Sequence, residues 1–253
     1  MSPVIETKDL CKTYIVDKQS NNVLQNVNLK VDDGEFVSVM GPSGSGKSTL
    51  LYTVSGMDNV TAGQVFFDGT ELTSMKEKQL VNMRLTKMGF IFQQMYMMKK
   101  LSIMDNILLP GYQAGTAPRD EVRKYAEELM RKLGIIDTAD REITEVSDGQ
   151  LQRACLCRAL INHPKVNLAD EPTGALNSKA SYEVMQRLLE ANRSGTSILM
   201  VTHSERVASI SDRIIYLVDG NIKGELSLGK AGSDDELAGR EKKIRAWLDE
   251  MGW

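Results

Sequence analysis

Gly41-Pro42-Ser43-Gly44-Ser45-Gly46-Lys47-Ser48-Thr49 satisfies the pattern G-x-x-x-x-G-K-[ST] at every fixed position. Its flanks give it weight. The apolar, β-favouring run Phe36-Val37-Ser38-Val39-Met40 precedes it, and Leu50-Leu51-Tyr52-Thr53-Val54 follows with a composition that continues as a helix. A strand, a glycine-rich turn and a helix start line up a concave row of backbone N–H groups, and the helix dipole adds partial positive charge there. In that frame Lys47 reaches the β- and γ-phosphates of a nucleoside triphosphate, and Ser48 places its hydroxyl on Mg²⁺. A flexible Gly/Ser linker would not carry the lysine, the hydroxyl and the strand in register. The stretch reads as a phosphate loop, with Gly41, Ser43, Gly44, Ser45, Gly46, Lys47, Ser48 and Thr49 as nucleotide-binding residues.

The chain has 253 residues, enough for one large α/β domain with a small appended lobe. Its 31 basic and 34 acidic residues leave a net charge of −3, which does not point to nucleic acid as a partner. Cys11, Cys155 and Cys157 are odd in number and lack metal-ligand spacing, so neither a disulfide framework nor a zinc site is expected and a reducing, cytoplasmic setting fits. No basic-then-apolar leader opens the sequence, and no apolar run approaches the roughly 18–20 residues that cross a bilayer. Membrane association is therefore expected to go through a partner.

Short strands are expected at Val4-Ile5-Glu6 and Val27–Val31, with a loop over Asp17–Asn22 between them. Further strands are expected at Gln64–Phe67 and Phe90-Ile91-Phe92. From about 73 to 160 the pattern turns helical: Val122, Tyr125, Ala126, Leu129 and Leu133 recur at helical spacing, and Gly134 marks a stop. After 165 strand and helix alternate: Val166–Ala169, Ser181–Asn192, Ile198–Val201 and Ile214–Val218. That alternation predicts a parallel sheet with helices on its faces. From about 230, after Gly-Ser-Asp-Asp, Leu237, Ile244, Leu248 and Met251 share one helical face with Trp247 beside it, which predicts a short amphipathic helix packed against the body.

Val166-Asn167-Leu168-Ala169-Asp170-Glu171 is an apolar strand ending in two carboxylates. Beside a phosphate loop, Asp170 can hold the Mg²⁺ shell and Glu171 can polarise the water that attacks the γ-phosphate. Asn167 places an amide inside this strand and should need a buried partner. Ile198-Leu199-Met200-Val201-Thr202-His203 ends in one of two histidines, at the sheet edge where nucleotide chemistry takes place in such folds. His163, before Pro164, reads as an ordinary loop residue.

Val146-Ser147-Asp148-Gly149-Gln150, followed by Leu151-Gln152-Arg153, is similar to the LSGGQ-x-Q-R signature of the ATP-binding-cassette (ABC) transporter ATPases, and the resemblance runs from about residue 3 to 225. It implies an α/β phosphate-loop NTPase cassette with a RecA-like core, an antiparallel β subdomain and an inserted α-helical subdomain. It also implies domain limits of 1–228 for the cassette, with the helical part at about 95–160, and 229–253 for a C-terminal extension. Within it Tyr14 is the adenine-stacking aromatic, and Gln93 is the sensing glutamine, counted among both the catalytic and the metal residues. Ala175-Leu176-Asn177 is the D-loop and His203 the switch histidine. Lys47, Gln93, Glu171 and His203 form the catalytic set, and Ser48, Gln93 and Asp170 the Mg²⁺ set. Ser147, Gly149 and Gln150 contact the ATP held by a second, identical ATP-binding subunit. ATP with Mg²⁺ is the implied cofactor pair, and an integral membrane permease at the cytoplasmic face of the cell membrane is the implied partner.

Leu168–Leu176, Met75–Leu80 and Ile107-Leu108-Leu109-Pro110 resemble the branch that contains lipoprotein-release, macrolide-export and bacitracin-type peptide-resistance ATPases, the last most of all. Gln94-Met95-Tyr96-Met97-Met98 falls where the family receives a permease helix, and methionines suit a surface that stays packed while it moves. Asp148 replaces the first signature glycine. At ~6 Å from a γ-phosphate its carboxylate would be repelled by roughly 3 kcal/mol per charge pair for an effective dielectric near 20. Asn177 replaces the usual D-loop aspartate. These departures make a slow, ATP-gated regulatory cassette an alternative to a transport motor, and a soluble non-transport cassette stands as another.

Overall fold

The computed structural model describes residues 3–174, 176–232 and 234–253. It divides into two compact units, Met1–Leu80 with Ser197–Trp253, and Val81–Thr196.

The first unit opens with β1 (Pro3–Val16), β2 (Gln19–Val27), β3 (Lys30–Asp32) and β4 (Phe36–Met40), then α1 (Lys47–Val54), β5 (Ala62–Phe67) and β6 (Thr70–Glu71). β2, β1, β5 and β6 lie side by side in an antiparallel sheet, and β3 also pairs with β1. The two short strands and the loop expected in this region give way to a long hairpin. β1 runs 14 residues, and Val27–Val31 is divided between β2 and β3. Val16 pairs with Gln19 across a two-residue turn, in which Asp17 (φ 49°) and Lys18 (φ 65°) both adopt the left-handed conformation that matches strand twist. Neither residue is glycine, and Gln19–Asn22 is polar and exposed, so no apolar alternation marks the start of β2.

The second unit follows α2 (Glu77–Lys87), inside which the boundary falls, and contains β7 (Met88–Ile91), α3 (Ile103–Ala114), α4 (Arg119–Lys132), α5 (Asp148–Leu160), β8 (Val166–Asp170) and α6 (Ser178–Arg193). β7 starts two residues before the expected strand and excludes Phe92. β7 and β8 are parallel. Every residue of β8 is buried, as expected for a parallel strand covered on both faces. Asn167 does not find the expected partner: both polar atoms of its buried amide are unpaired. Its register partner on β7 is Gly89, which has no side chain to answer it.

The chain returns to the first unit with β9 (Ser197–Val201), α7 (Glu205–Ala208), β10 (Arg213–Val218), β11 (Asn221–Ser227) and α8 (Asp234–Glu250). β10, β4 and β9 form the expected parallel array, and β11 adds an unexpected antiparallel edge strand to β10. The C-terminal helix forms and docks. Ile244 and Leu248 are buried in a cluster with Met40, Ala208, Ile214 and Tyr216, while Trp247 and Met251 pack against it. Full burial of each aliphatic side chain stabilises by roughly 1.5–3 kcal/mol. Arg240, one turn before Ile244, is buried on the same face and donates to the carbonyls of Ser211 and Gly229.

Candidate functional site

In the first unit the phosphate loop joins β4 to α1. Gly46 caps α1 with φ 100°, and no side-chain cap hydrogen bond forms at the helix start. Glycine is required at two positions. A Cβ at Gly46 would lie 2.7 Å from the Val23 carbonyl, and one at Gly41 would lie 2.0 Å from the Leu217 carbonyl. Lys47 Nζ donates to the carbonyls of Gly41 and Pro42 at 2.7 and 2.8 Å, folding its charge back over the loop. Ser45 is buried with an unpaired hydroxyl. An uncapped helix start, an ammonium ion and an orphan hydroxyl around one loop are donors suited to a polyphosphate. Tyr14 lies on β1 of the same unit, and its hydroxyl donates to Asp58 at 2.5 Å. His203 is exposed between β9 and α7, just before Ser204, whose hydroxyl caps α7 by accepting from Val207 N.

The second unit carries the remaining candidates. Asp170 ends β8 and is buried. Glu171 follows with φ 47°, a left-handed conformation that costs a residue with a Cβ roughly 1–2 kcal/mol. Its carbonyl accepts from Gly174 N at 3.0 Å, closing a tight turn. Strain held at one carboxylate beside a strand end is the kind found at working sites. Gln93 follows β7 and is exposed, and its amide borders Gly174 of the same turn.

The signature residues form the start of α5. Ser147 is the N-cap: its hydroxyl accepts from Gln150 N at 3.3 Å, and the Gln150 side chain accepts from Ser147 N at 3.0 Å. This reciprocal capping box satisfies two helix-end donors. Asp148 is exposed at the first helical position, where the dipole favours a carboxylate. Ser147, Asp148 and Gly149 border a recess of about 300 Å³ with Asn177, Lys179 and Glu183. Asn177 Oδ1 accepts from Ala180 N at 3.0 Å and caps α6, a duty asparagine performs as well as aspartate. Of the expected D-loop, Ala175 lies outside the described residues.

Three features escaped the sequence reading. Gln152, buried one turn into α5, donates to the Pro172 carbonyl at 2.7 Å and so ties the signature helix to the turn after Glu171. Arg158 donates to the carbonyls of Met95 and Tyr96, and Asn106 holds Met98 through both its amide N–H and its carbonyl. The methionine-rich stretch is thus pinned along its backbone, while Tyr96 and Met98 remain exposed. Lys12 is the third; it lies two residues before Tyr14, and the period of two that puts both on one face of β1 was the available signal.

His163 stacks on Tyr125 with ring centroids 4.1 Å apart. Both line a larger cleft of about 700 Å³ in the second unit that contains none of the candidate residues above. Burial pushes the Cys155 thiol up to about 11 and the Cys157 thiol higher still, leaving both protonated and inert. Among the described residues no cluster of His, Cys, Asp and Glu suits a metal on its own, and no helix is long and apolar enough to cross a membrane.

Residues 24–174 match the family model described as ABC transporter. The lipoprotein-releasing system ATP-binding protein LolD of Aquifex aeolicus is 41% identical over 205 residues, covering 81% of this chain and 91% of that protein. The bacitracin export ATP-binding protein BceA of Halalkalibacterium halodurans is 38% identical, covering 89% of each. A dimeric structure of a post-hydrolysis state of the ATP-binding cassette MJ0796, from Methanocaldococcus jannaschii, bound to ADP and Pi, superposes with a TM-score of 0.84 at 38% identity, covering 90% of this chain and all of that one.

Proposed function

The chain belongs to the ABC transporter family, and from that membership we propose that it is an ATP-hydrolysing motor subunit that works in pairs beneath a membrane permease. The observation that carries the proposal is a pair of phosphate-seeking helix starts in one chain. One is α1 with its lysine-closed loop, and the other is α5 with its exposed capping box. Two copies placed head to tail would supply each ATP with a loop from one and a signature helix from the other.

In this reading Tyr14 stacks on the adenine, and Gly41, Ser43, Gly44, Ser45, Gly46, Lys47, Ser48 and Thr49 cradle the phosphates. Ser48, Gln93 and Asp170 form an all-oxygen donor set, the chemistry Mg²⁺ prefers. Bound Mg²⁺ would neutralise charge on the phosphates. Glu171 takes a proton from the attacking water, and His203 steadies the γ-phosphate side. Ser147, Gly149 and Gln150 meet the γ-phosphate bound by the second copy. The exposed Tyr96 and Met98 offer the permease an adaptable apolar contact. The cassette spans 1–228, with a helical insertion at about 95–160 and an extension over 229–253. Its place is the cytoplasmic face of the membrane, and its cargo is of the antimicrobial-peptide or lipoprotein type.

The test is capture of the tagged chain from detergent-solubilised membranes. A multi-span membrane protein is the expected companion. Ribosomal or DNA-bound material without one would overturn the reading.

A second reading, a slow ATP-gated cassette, is favoured by Asp148. Its carboxylate occupies the positive end of α5, competing with a phosphate for the same field. Because it is exposed, screening cuts its effect to on the order of 0.5–1 kcal/mol. Asp148→Gly should raise ATP turnover about two- to fivefold and slightly lower the melting temperature, because α5 loses a favourable first-turn charge. Steady-state phosphate release and a thermal melt check both signs, and unchanged turnover would show that the carboxylate points away from the nucleotide.

A further inference from the structure

Lys12 is 7% exposed, an unusual degree of burial for a lysine. Its ammonium donates to Asp58 Oδ1 and to the Asn59 carbonyl, each at 2.6 Å, and stands 4.6 Å from the centroid of the Tyr14 ring. The other Asp58 oxygen accepts from the Tyr14 hydroxyl. The three side chains thus close a triangle in which each touches the other two. The triangle is fastened to the phosphate-loop helix: Asp58 N donates to the Tyr52 carbonyl at 3.1 Å, and Tyr52 lies in α1. The ionisation behaviour agrees. Burial would raise the Asp58 carboxyl, but the hydrogen bonds from Lys12 and Tyr14 hold it below the usual range, while burial and Asp58 push the Tyr14 phenol up.

We propose that Lys12 and Asp58 are positioning residues that clamp Tyr14 to the end of the phosphate-loop helix and leave only one ring face for a purine base. The proposal rests on the reading of Tyr14 as the base-stacking residue. The ammonium covers one face, so a base stacks on the other, at a height set by α1. A cation against one face also draws π density from the ring, which makes the free face a better partner for an electron-rich purine. Base platform and phosphate cradle then move as one piece, and the nucleotide is measured from base to phosphate without a loop having to order around it.

Calorimetry of the purified chain with two probes separates the outcomes: ATP, and inorganic tripolyphosphate, which lacks a base. Lys12→Met keeps the aliphatic stem and removes the charge. It should weaken ATP binding roughly five- to tenfold and leave tripolyphosphate binding unchanged. In a Tyr14→Ala background the same substitution should have no further effect on ATP. Equal loss for both probes, or an undiminished loss in the Tyr14→Ala background, would overturn the clamp. Tyr14→Ala binding ATP as tightly as the wild type would instead overturn the base-stacking reading beneath it. If Lys12→Met does not fold, Tyr14→Phe, which deletes the hydroxyl bonded to Asp58 and to Thr49, carries the comparison. It should weaken ATP about two- to fivefold with tripolyphosphate unaffected, and equal affinity for ATP would overturn the clamp.

Discussion

Glu171→Gln should cut ATP turnover by at least about a hundredfold while ATP remains bound. The amide matches the carboxylate in shape and still accepts a hydrogen bond, but it cannot take a proton from water, and general-base assistance contributes about 10²–10⁴-fold. The backbone gives no reason for the fold to suffer. Glutamine meets the same left-handed conformation (φ 47°) at the same cost, and a main-chain hydrogen bond closes the turn to Gly174. Phosphate release should therefore fall by at least about a hundredfold, with the dissociation constant for ATP unchanged or lower. If hydrolysis separates the paired subunits, as the proposed motor requires, gel filtration in ATP should show dimers accumulating in the variant and not in the wild type. Turnover within a few-fold of wild type would remove Glu171 from the role of base.

Lys47→Ala acts on binding itself. A charge-assisted hydrogen bond to phosphate contributes about 1.5–3 kcal/mol, and its loss predicts ATP affinity lower by roughly 10- to 100-fold. A second effect adds to it. The Lys47 ammonium also ties the Gly41 and Pro42 carbonyls together, so its removal should loosen the loop proposed to cradle the phosphates. Lys47→Arg should not rescue binding, because a planar fork does not replace a compact ammonium bonded to two carbonyls at once. Calorimetric titration with ATP checks both variants. Full affinity in Lys47→Ala would mean that the loop holds nucleotide by backbone alone.

Where the sequence could be read, the reason was local chemistry. The phosphate loop, the mostly apolar strand ending at Asp170 and the Ser147–Gln150 signature each announce themselves through residues adjacent in sequence. The misses were of another kind. The hairpin of β1 and β2 turns on Asp17 and Lys18, inside the expected loop, but the polar, exposed Gln19–Asn22 that follows belongs to β2, so no apolar alternation showed where the strand resumed. β11 contains a glycine and alternates only weakly, and its existence depends on β10 offering an edge. Lys12 with Asp58, and Gln152 with Pro172, are contacts between residues 46 and 20 positions apart, which no window along the chain can expose. Asn177, which replaces the usual D-loop aspartate, caps α6, a duty that depends on a side-chain oxygen and not on a charge.

Helix α8 brings an optical consequence. The chain has two tryptophans, and both belong to its C-terminal segment. Trp247 meets Tyr216 edge to face at 6.2 Å, and Trp253 lies 5.8 Å from the same ring. Light absorbed selectively by indole is therefore emitted from one small region, the seam between α8 and β10. Emission wavelength and quenching report whether that helix is seated and are silent on melting elsewhere. A spectrum that keeps its folded shape during denaturation would certify a single docked helix, not an intact protein.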